Sequence, residues 1–182
     1  MALVHGRANG EARELQLDDW SWKLTIIDAT HVEIHEGNTY VVSYYDDDVA
    51  DDGTVEILLR VGDEPAHATF GGQAGGDAVA YLIENPTVNA AGTALTEFNK
   101  NRISANTATL TAFHTPTVVG GTALLTLFMP GGSGPQAGGT QASSGGEWIL
   151  KPNEDYVARI TNISGQAQEI SIDIEWYEEA SH

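Results

Sequence analysis

Cysteine is absent from the 182 residues of the chain. That excludes a disulfide framework, a thiolate zinc site and a Cys nucleophile, and it leaves the redox compartment unread. Basic residues are scarce: three Lys and five Arg stand against 26 acidic side chains, for a net charge of −18. Binding along a nucleic-acid backbone needs clustered cations, and Lys100 with Arg102 is the only close cationic pair. Nucleic acid is therefore excluded as the main partner. Long apolar runs are missing as well. The longest, Ala123 to Met129, is broken by Thr126 and is far too short to span a bilayer, so no membrane partner is expected. The first twenty residues hold two Arg, two Asp and two Glu with no apolar run, and no secretory signal is expected there.

What is present argues for a folded, acidic, β-rich protein. Hydrophobic content of 41% is too high for a disordered acidic chain, and this length closes one core without staples. Repulsion among surface carboxylates fades at molar salt, where the Debye length falls to about 3 Å. Scarce Lys, abundant acids and many small residues together point to an extreme halophile.

Residues 1–20 show no period-2 pattern and read as an N-terminal arm ordered by contact with something else. Glu11 to Leu17 fits one or two helical turns, with Leu15 as an anchor. Residues 21–182 read as a single β-sandwich domain. Alternating apolar and polar residues predict strands at Trp22–Ile26, His31–His35, Tyr40–Tyr45, Val55–Val61, His67–Phe70, Ala78–Glu84, Thr107–His114, Ala123–Phe128, Trp148–Leu150, Tyr156–Asn162 and Glu169–Tyr177. Short strands with Gly-rich punctuation and no helical spacing predict an all-β, jelly-roll-like antiparallel sandwich. An immunoglobulin-like sandwich is the structural alternative. Two long connections, 85–105 and 130–146, interrupt the strands, and loops of that length are usually functional or disordered.

Few residues suggest chemistry. His31, Glu33 and His35 lie at period 2 and are metal-capable types, but Val32 and Ile34 claim the buried face of such a strand, which turns the His face outward. The turn Asp46 to Gly53 contains Asp48 and Asp52 in a stretch that imitates half of a calcium loop, with Leu59 where the bidentate Glu belongs. A solvated turn accumulating non-specific or structural cations (Mg, Ca, K, Na) is the expectation, and no other cofactor is anticipated. Gly131, Gly132, Ser133 and Gly134 lack the ending of a phosphate loop, and Pro135 stands where a nucleophile elbow needs Gly. Asn162-Ile163-Ser164 matches a glycosylation sequon placed in a turn. No enzyme signature emerges. Phe98, Asn99, Lys100, Asn101 and Arg102 form a partly cationic loop suited to an acidic partner or a second copy. The Gly/Ser stretch at Gly131–Gly134 permits close approach to a neighbour.

Several blocks follow in order along the chain: Glu84-Asn85-Pro86-Thr87-Val88, Gly92-Thr93-Ala94-Leu95-Thr96, Asn99-Lys100-Asn101-Arg102, Ser104-Ala105-Asn106-Thr107-Ala108-Thr109 and His114-Thr115-Pro116-Thr117-Val118. Pro130-Gly131-Gly132-Ser133-Gly134-Pro135, Glu147-Trp148-Ile149-Leu150 and the Tyr156 to Asn162 block come later. Together, over about His31 to Tyr177, they resemble a family of small virion proteins from tailed bacteriophages and related archaeal viruses. The acidic Asp46 to Gly53 segment departs from that family, whose members often have a shorter loop there. The resemblance implies a non-enzymatic jelly-roll-like protein on the outside of the head, as cement or turret. It would be made in the host cytoplasm and located in the virion. Its partners would be the major capsid protein and other copies of itself in a homotrimer. Combined with the acidity, it implies a tailed virus of haloarchaea. One alternative is a receptor- or glycan-binding spike stacking sugars on Tyr44, Tyr45 or Phe98. Another is a cupin-like metalloenzyme using His31, Glu33 and His35.

The acidity yields an expected outcome. Far-ultraviolet circular dichroism followed from molar to millimolar salt should show loss of β structure as screening is withdrawn; full folding at millimolar salt would contradict the halophilic reading.

Overall fold

A computed structural model describes residues 5–8, 11–14, 29–131, 140–143 and 146–178. In chain order the elements are β1 (His5–Ala8), β2 (Glu11–Glu14), α1 (Ala29–Glu36), β3 (Thr39–Val49), β4 (Thr54–Arg60), β5 (Ala66–Ala74) and β6 (Ala78–Glu84). Five short strands follow, β7 (Thr87–Ala90), β8 (Thr93–Ala94), β9 (Phe98–Asn99), β10 (Thr111–His114) and β11 (Thr117–Val119). The chain continues with β12 (Thr122–Met129), β13 (Thr140–Ser143), β14 (Trp148–Leu150), β15 (Asp155–Asn162) and β16 (Gln168–Glu178).

Two antiparallel sheets pack face to face, as expected for an all-β sandwich. One has the order β12-β6-β15-β4-β10-β8 and the other β13-β5-β16-β3-β9, with β14 also paired to β5. The long strands switch sheets repeatedly: β3, β5, β13 and β16 lie in the second sheet, β4, β6, β12 and β15 in the first. The core is built where their inner faces meet. Ile170, Ile172, Ile174 and Trp176 alternate along β16 and are all buried, against Tyr40 and Val42 of β3, Ile57 and Leu59 of β4, and Ile160 of β15. Each such side chain contributes about 1.5–3 kcal/mol when removed from water. Tyr40 and Trp176 set their rings 5.8 Å apart.

The first sheet is covered on its outer face too. Leu58, Ile83 and Val157 point away from the main core, yet Val88 and Val118 of the β7–β11 ribbon, with Phe113 and Tyr81, bury them. This explains the uninterrupted run Ile57-Leu58-Leu59, all three fully buried: a strand covered on both faces need not alternate. The connection 85–105 is therefore no free loop, since it carries β7, β8 and β9 and supplies part of that cover.

Several expectations are corrected. His31–His35 is helical, within α1. Gly37, at φ +80°, follows the helix; its N–H donates to the Ile34 carbonyl and that of Asn38 to the Glu33 carbonyl, the two bonds of a Schellman cap. A side chain at Gly37 would strike Ser104. Glu11–Glu14 is a strand paired with β1, not helical turns. The acidic segment is not one turn, because β3 runs through Asp46–Asp48 to Val49, with a register shift against β16 there. Strand β10 begins at Thr111 rather than Thr107, β5 runs on from Phe70 to Ala74, and 130–146 contains β13. The predicted strand Trp22–Ile26 and the anchor Leu15 lie outside the described residues, as do Gly132, Ser133 and Gly134.

Strand β10 is tied to the core by a buried carboxylate. Glu178 accepts from the N–H groups of Thr109 (2.8 Å) and Leu110 (2.9 Å) and from the Trp176 indole N–H (3.0 Å). Glu178→Ala leaves the Leu110 N–H and the Trp176 indole N–H buried without acceptors and should cost about 3 kcal/mol. Urea unfolding should show a lower midpoint at unchanged slope, with Glu178→Gln, which keeps an acceptor oxygen, falling between.

Candidate functional site

The strand orders place two different flanks on the sandwich. At one flank the edges are β8 and β9, each of two residues, too short to template another strand. Here α1 and the 98–106 loop form a corner. Asn99 Nδ2 donates to the Gly37 carbonyl (2.7 Å), Asn101 Nδ2 to that of His35 (2.9 Å) and Asn106 Nδ2 to that of Glu36 (3.2 Å). The last turn of α1 thus has its carbonyls satisfied by amides from a distant loop. Lys100 Nζ pairs with Glu175. Of the loop residues expected to meet a partner, Asn99, Lys100 and Asn101 are thus engaged within the chain. Phe98 faces outward, 51% exposed, with the Arg102 guanidinium 5.4 Å from its ring centre. Beside them Ile103 is 95% exposed. Ile103 is not legible as a contact residue in the sequence, because a lone Ile between Arg102 and Ser104 carries no periodic signal.

The proposed metal face does not form as a strand face. His31 and His35 lie four apart on one side of α1, with their Nε2 atoms 3.0 Å apart. Glu33 is turned elsewhere and accepts from Asn38 Nδ2 at 3.1 Å, so the cupin-like arrangement fails. Asp48 lies at the end of β3 and Asp52 in the following turn at φ +61°. Among the described residues no group of three or more His, Asp or Glu side chains is gathered as a metal site. Nor is Asn162 open to glycosylation. It is buried, and its Nδ2 donates to the carbonyls of Val49 (2.8 Å), Ala50 (3.1 Å) and Gln166 (2.6 Å), locking the β3–β4 turn.

The three aromatics offered for sugar stacking part company. Tyr44 turns inward and stacks on His114, ring centres 4.2 Å apart. Tyr45 points outward from the next position and lines a groove of about 290 Å³ with Gln73, Gly75, Glu169 and Ser171. Phe98 lies four residues further along the β3 register, opposite Val41. A second pocket, about 40 Å³, lies among Phe70, Gly72, Leu82, Leu125, Ala158 and Ile172. It is far smaller than a ligand site.

At the other flank the edges are β12 and β13, which touch one another, with β14 alongside β5. From Thr115 to Gly146 the sequence holds no Asp, Glu, Lys, Arg or His, so both edge strands of this flank, β12 and β13, are uncharged on a protein of net charge −18. Strand β12 shows β6 one edge, and its other edge has no strand partner among the described residues. Phe128 on it is 62% exposed and Thr126 is exposed. Gly131, at its end, donates its N–H to Asp77. The uncharged run closes at Glu147, whose Oε1 lies 2.7 Å from His67 Nδ1 and accepts from the Tyr177 hydroxyl at 3.1 Å, holding the start of β14 on β5 and β16. The signal was present in the sequence as a gap in the charges, but only the sheet order shows that its strands β12 and β13 come together on one side.

A polar link joins β15 to β6. The buried Tyr156 hydroxyl donates to Glu84 Oε1 (2.9 Å) and accepts from the Lys151 N–H (3.0 Å), while Lys151 Nζ lies 3.0 Å from Glu84. Lys151 and then Tyr156 hold the Glu84 carboxyl below its usual range. Burial pushes the Tyr156 phenol up to about 12; Glu84 adds to the rise and the Lys151 N–H partly offsets it.

No protein-family model matches the chain, and no curated protein matches it.

The Tyr156 link gives stability a defined alkaline limb. Its pKa in the fold lies above the ordinary 10.0, so its contribution is fully present below pH 10 and is lost as pH rises from there through about 12. Denaturant unfolding at a series of pH values should show Tyr156→Phe flattening that limb; Tyr40, also raised by burial, keeps part of the slope.

Proposed function

We propose that the protein is a non-enzymatic structural component of a tailed-virus particle, a homotrimer that decorates the outside of the capsid as cement or turret. The ordered blocks from Glu84 to Asn162 support a virion origin by resemblance. The alternation of β3 to β6, β12, β13, β15 and β16 between two sheets, with the orders β13-β5-β16-β3 and β12-β6-β15-β4, supports the jelly-roll reading.

The observation that carries self-association is the uncharged flank. Cyclic symmetry brings the same patch of each copy close around one axis, where a carboxylate would approach its own image. Like charges about 4 Å apart cost about 1 kcal/mol even in water and several times more once water is excluded. A side that presents Thr126 and Phe128 with no charge is where copies of this acidic chain can meet. The opposite corner, with Phe98, Arg102 and Ile103, then faces the major capsid protein. An aromatic under a guanidinium beside an apolar tip is the composition of an interface anchor. Many such weak contacts, multiplied by symmetry, would stabilise a shell. The protein would act on the virion surface after synthesis in the host cytoplasm, with halophilic conditions screening its remaining charge.

A second reading, a glycan-binding spike, is favoured by the groove at Tyr45. An exposed aromatic ring beside Gln73, Glu169 and Ser171 combines a stacking face with hydrogen-bonding groups.

Quantitative mass spectrometry of gradient-purified particles tests the proposal, with copies comparable to the shell subunits expected for cement and tens of copies for a turret. Absence from particles would refute it. On the isolated protein at its working salt, sedimentation should give a trimer, and Thr126→Glu with Phe128→Glu should give single chains with an unchanged circular dichroism spectrum. A wild-type monomer, or a trimer indifferent to those charges, would overturn the flank's role.

A further inference from the structure

The pair His31 and His35 stands apart from that assembly role. On an α-helix, residues i and i+4 share a face, and two histidines at that spacing on one helix face are a known way to present imidazoles to a metal ion. Both rings are exposed, and their Nε2 atoms converge to 3.0 Å. For metal–nitrogen bonds of about 2.05 Å, a 3.0 Å separation subtends about 94° at the ion. That is the cis angle of an octahedral or tetragonal ion. A tetrahedral ion would need about 3.3 Å between the nitrogens at the same bond length.

The support beneath the pair is rigid. Asn101 binds the His35 carbonyl, Asn106 that of Glu36 and Asn99 that of Gly37. The Schellman bonds at Gly37 and Asn38 close the same turn. The two imidazoles therefore project from a helix end pinned to a neighbouring loop, which lowers the ordering cost of chelation. As a mere hydrogen bond between exposed rings, the contact would compete with water and contribute little.

We propose that His31 and His35 form a bidentate site for one octahedral or tetragonal transition-metal ion, with water in the remaining positions. Imidazole ligands and this angle rank copper(II) and nickel(II) ahead of zinc(II), in line with the general order of divalent affinities. Magnesium and calcium, which require oxygen ligands, are excluded from it.

Calorimetric titration of the full chain with copper(II) and with nickel(II), near neutral pH and at the salt that keeps it folded, tests the site. One ion per chain is expected. His31→Asn and His35→Asn should each weaken binding at least tenfold, because either leaves a single imidazole. His114→Asn should leave it unchanged. Electron paramagnetic resonance of the copper complex should report two imidazole nitrogens in the wild type and one in each variant, a readout that holds even where affinity shifts for other reasons. No saturable binding, or equal binding by the wild type and both variants, would overturn the proposal and assign any bound ion to the carboxylates.

Discussion

Strand β16 has to hide Ile170, Ile172, Ile174 and Trp176 on one face, and the rest of the sandwich is arranged around that need. It pairs along its length with both β3 and β5, so its register sets theirs. A slip by one residue would expose all four side chains together. Its inner face must also find a second sheet, and β4 and β15 provide it. At its end Glu178 reaches across to the N–H groups of Thr109 and Leu110, so β10 is positioned by β16 although it belongs to the other sheet.

Charge is the second constraint, and the fold answers it by segregation. The outer face of the second sheet carries Glu169, Asp173 and Glu175, while the edge strands β12 and β13 carry no charged side chain. Edge strands elsewhere are short. Among the described residues the longest open edge, β12, thus carries no charge, the reverse of what protects a monomer from edge-to-edge pairing. That combination is the physical basis for reading the flank as a contact between copies. The uneven division of labour at the opposite corner follows the same logic: Asn99, Lys100 and Asn101 hold the chain to itself, which leaves Phe98, Arg102 and Ile103 outermost.

Strands with one buried face were legible because alternation is a local signal: β16 and the start of β3 can be read residue by residue. Other segments misled. The Val32 and Ile34 spacing imitates a strand, and the α1 helix has no apolar stripe to contradict it; its signal was the Gly37 stop. The Asp46–Asp48 run looks like a turn by composition, yet the ladder with β16 carries it as strand through a register shift. Asn162 has the sequon and a neighbouring turn, but its amide is spent on three carbonyls. In each case a local pattern was overruled by a partner distant in sequence.

By itself the sequence determined the all-β class, the absence of thiol chemistry and the inward residues of the long strands. Composition and period-2 alternation need no partner to be read. Only the tertiary structure decided that α1 is a helix, that His31 and His35 converge while Glu33 departs, and that the charge-free strands β12 and β13 share one flank. These depend on contacts such as Asn101 to His35, 66 residues apart, and on the order of strands within two sheets. Such pairings are chosen by which surfaces fit and which polar groups can be satisfied at once, and no window of neighbouring residues contains that information.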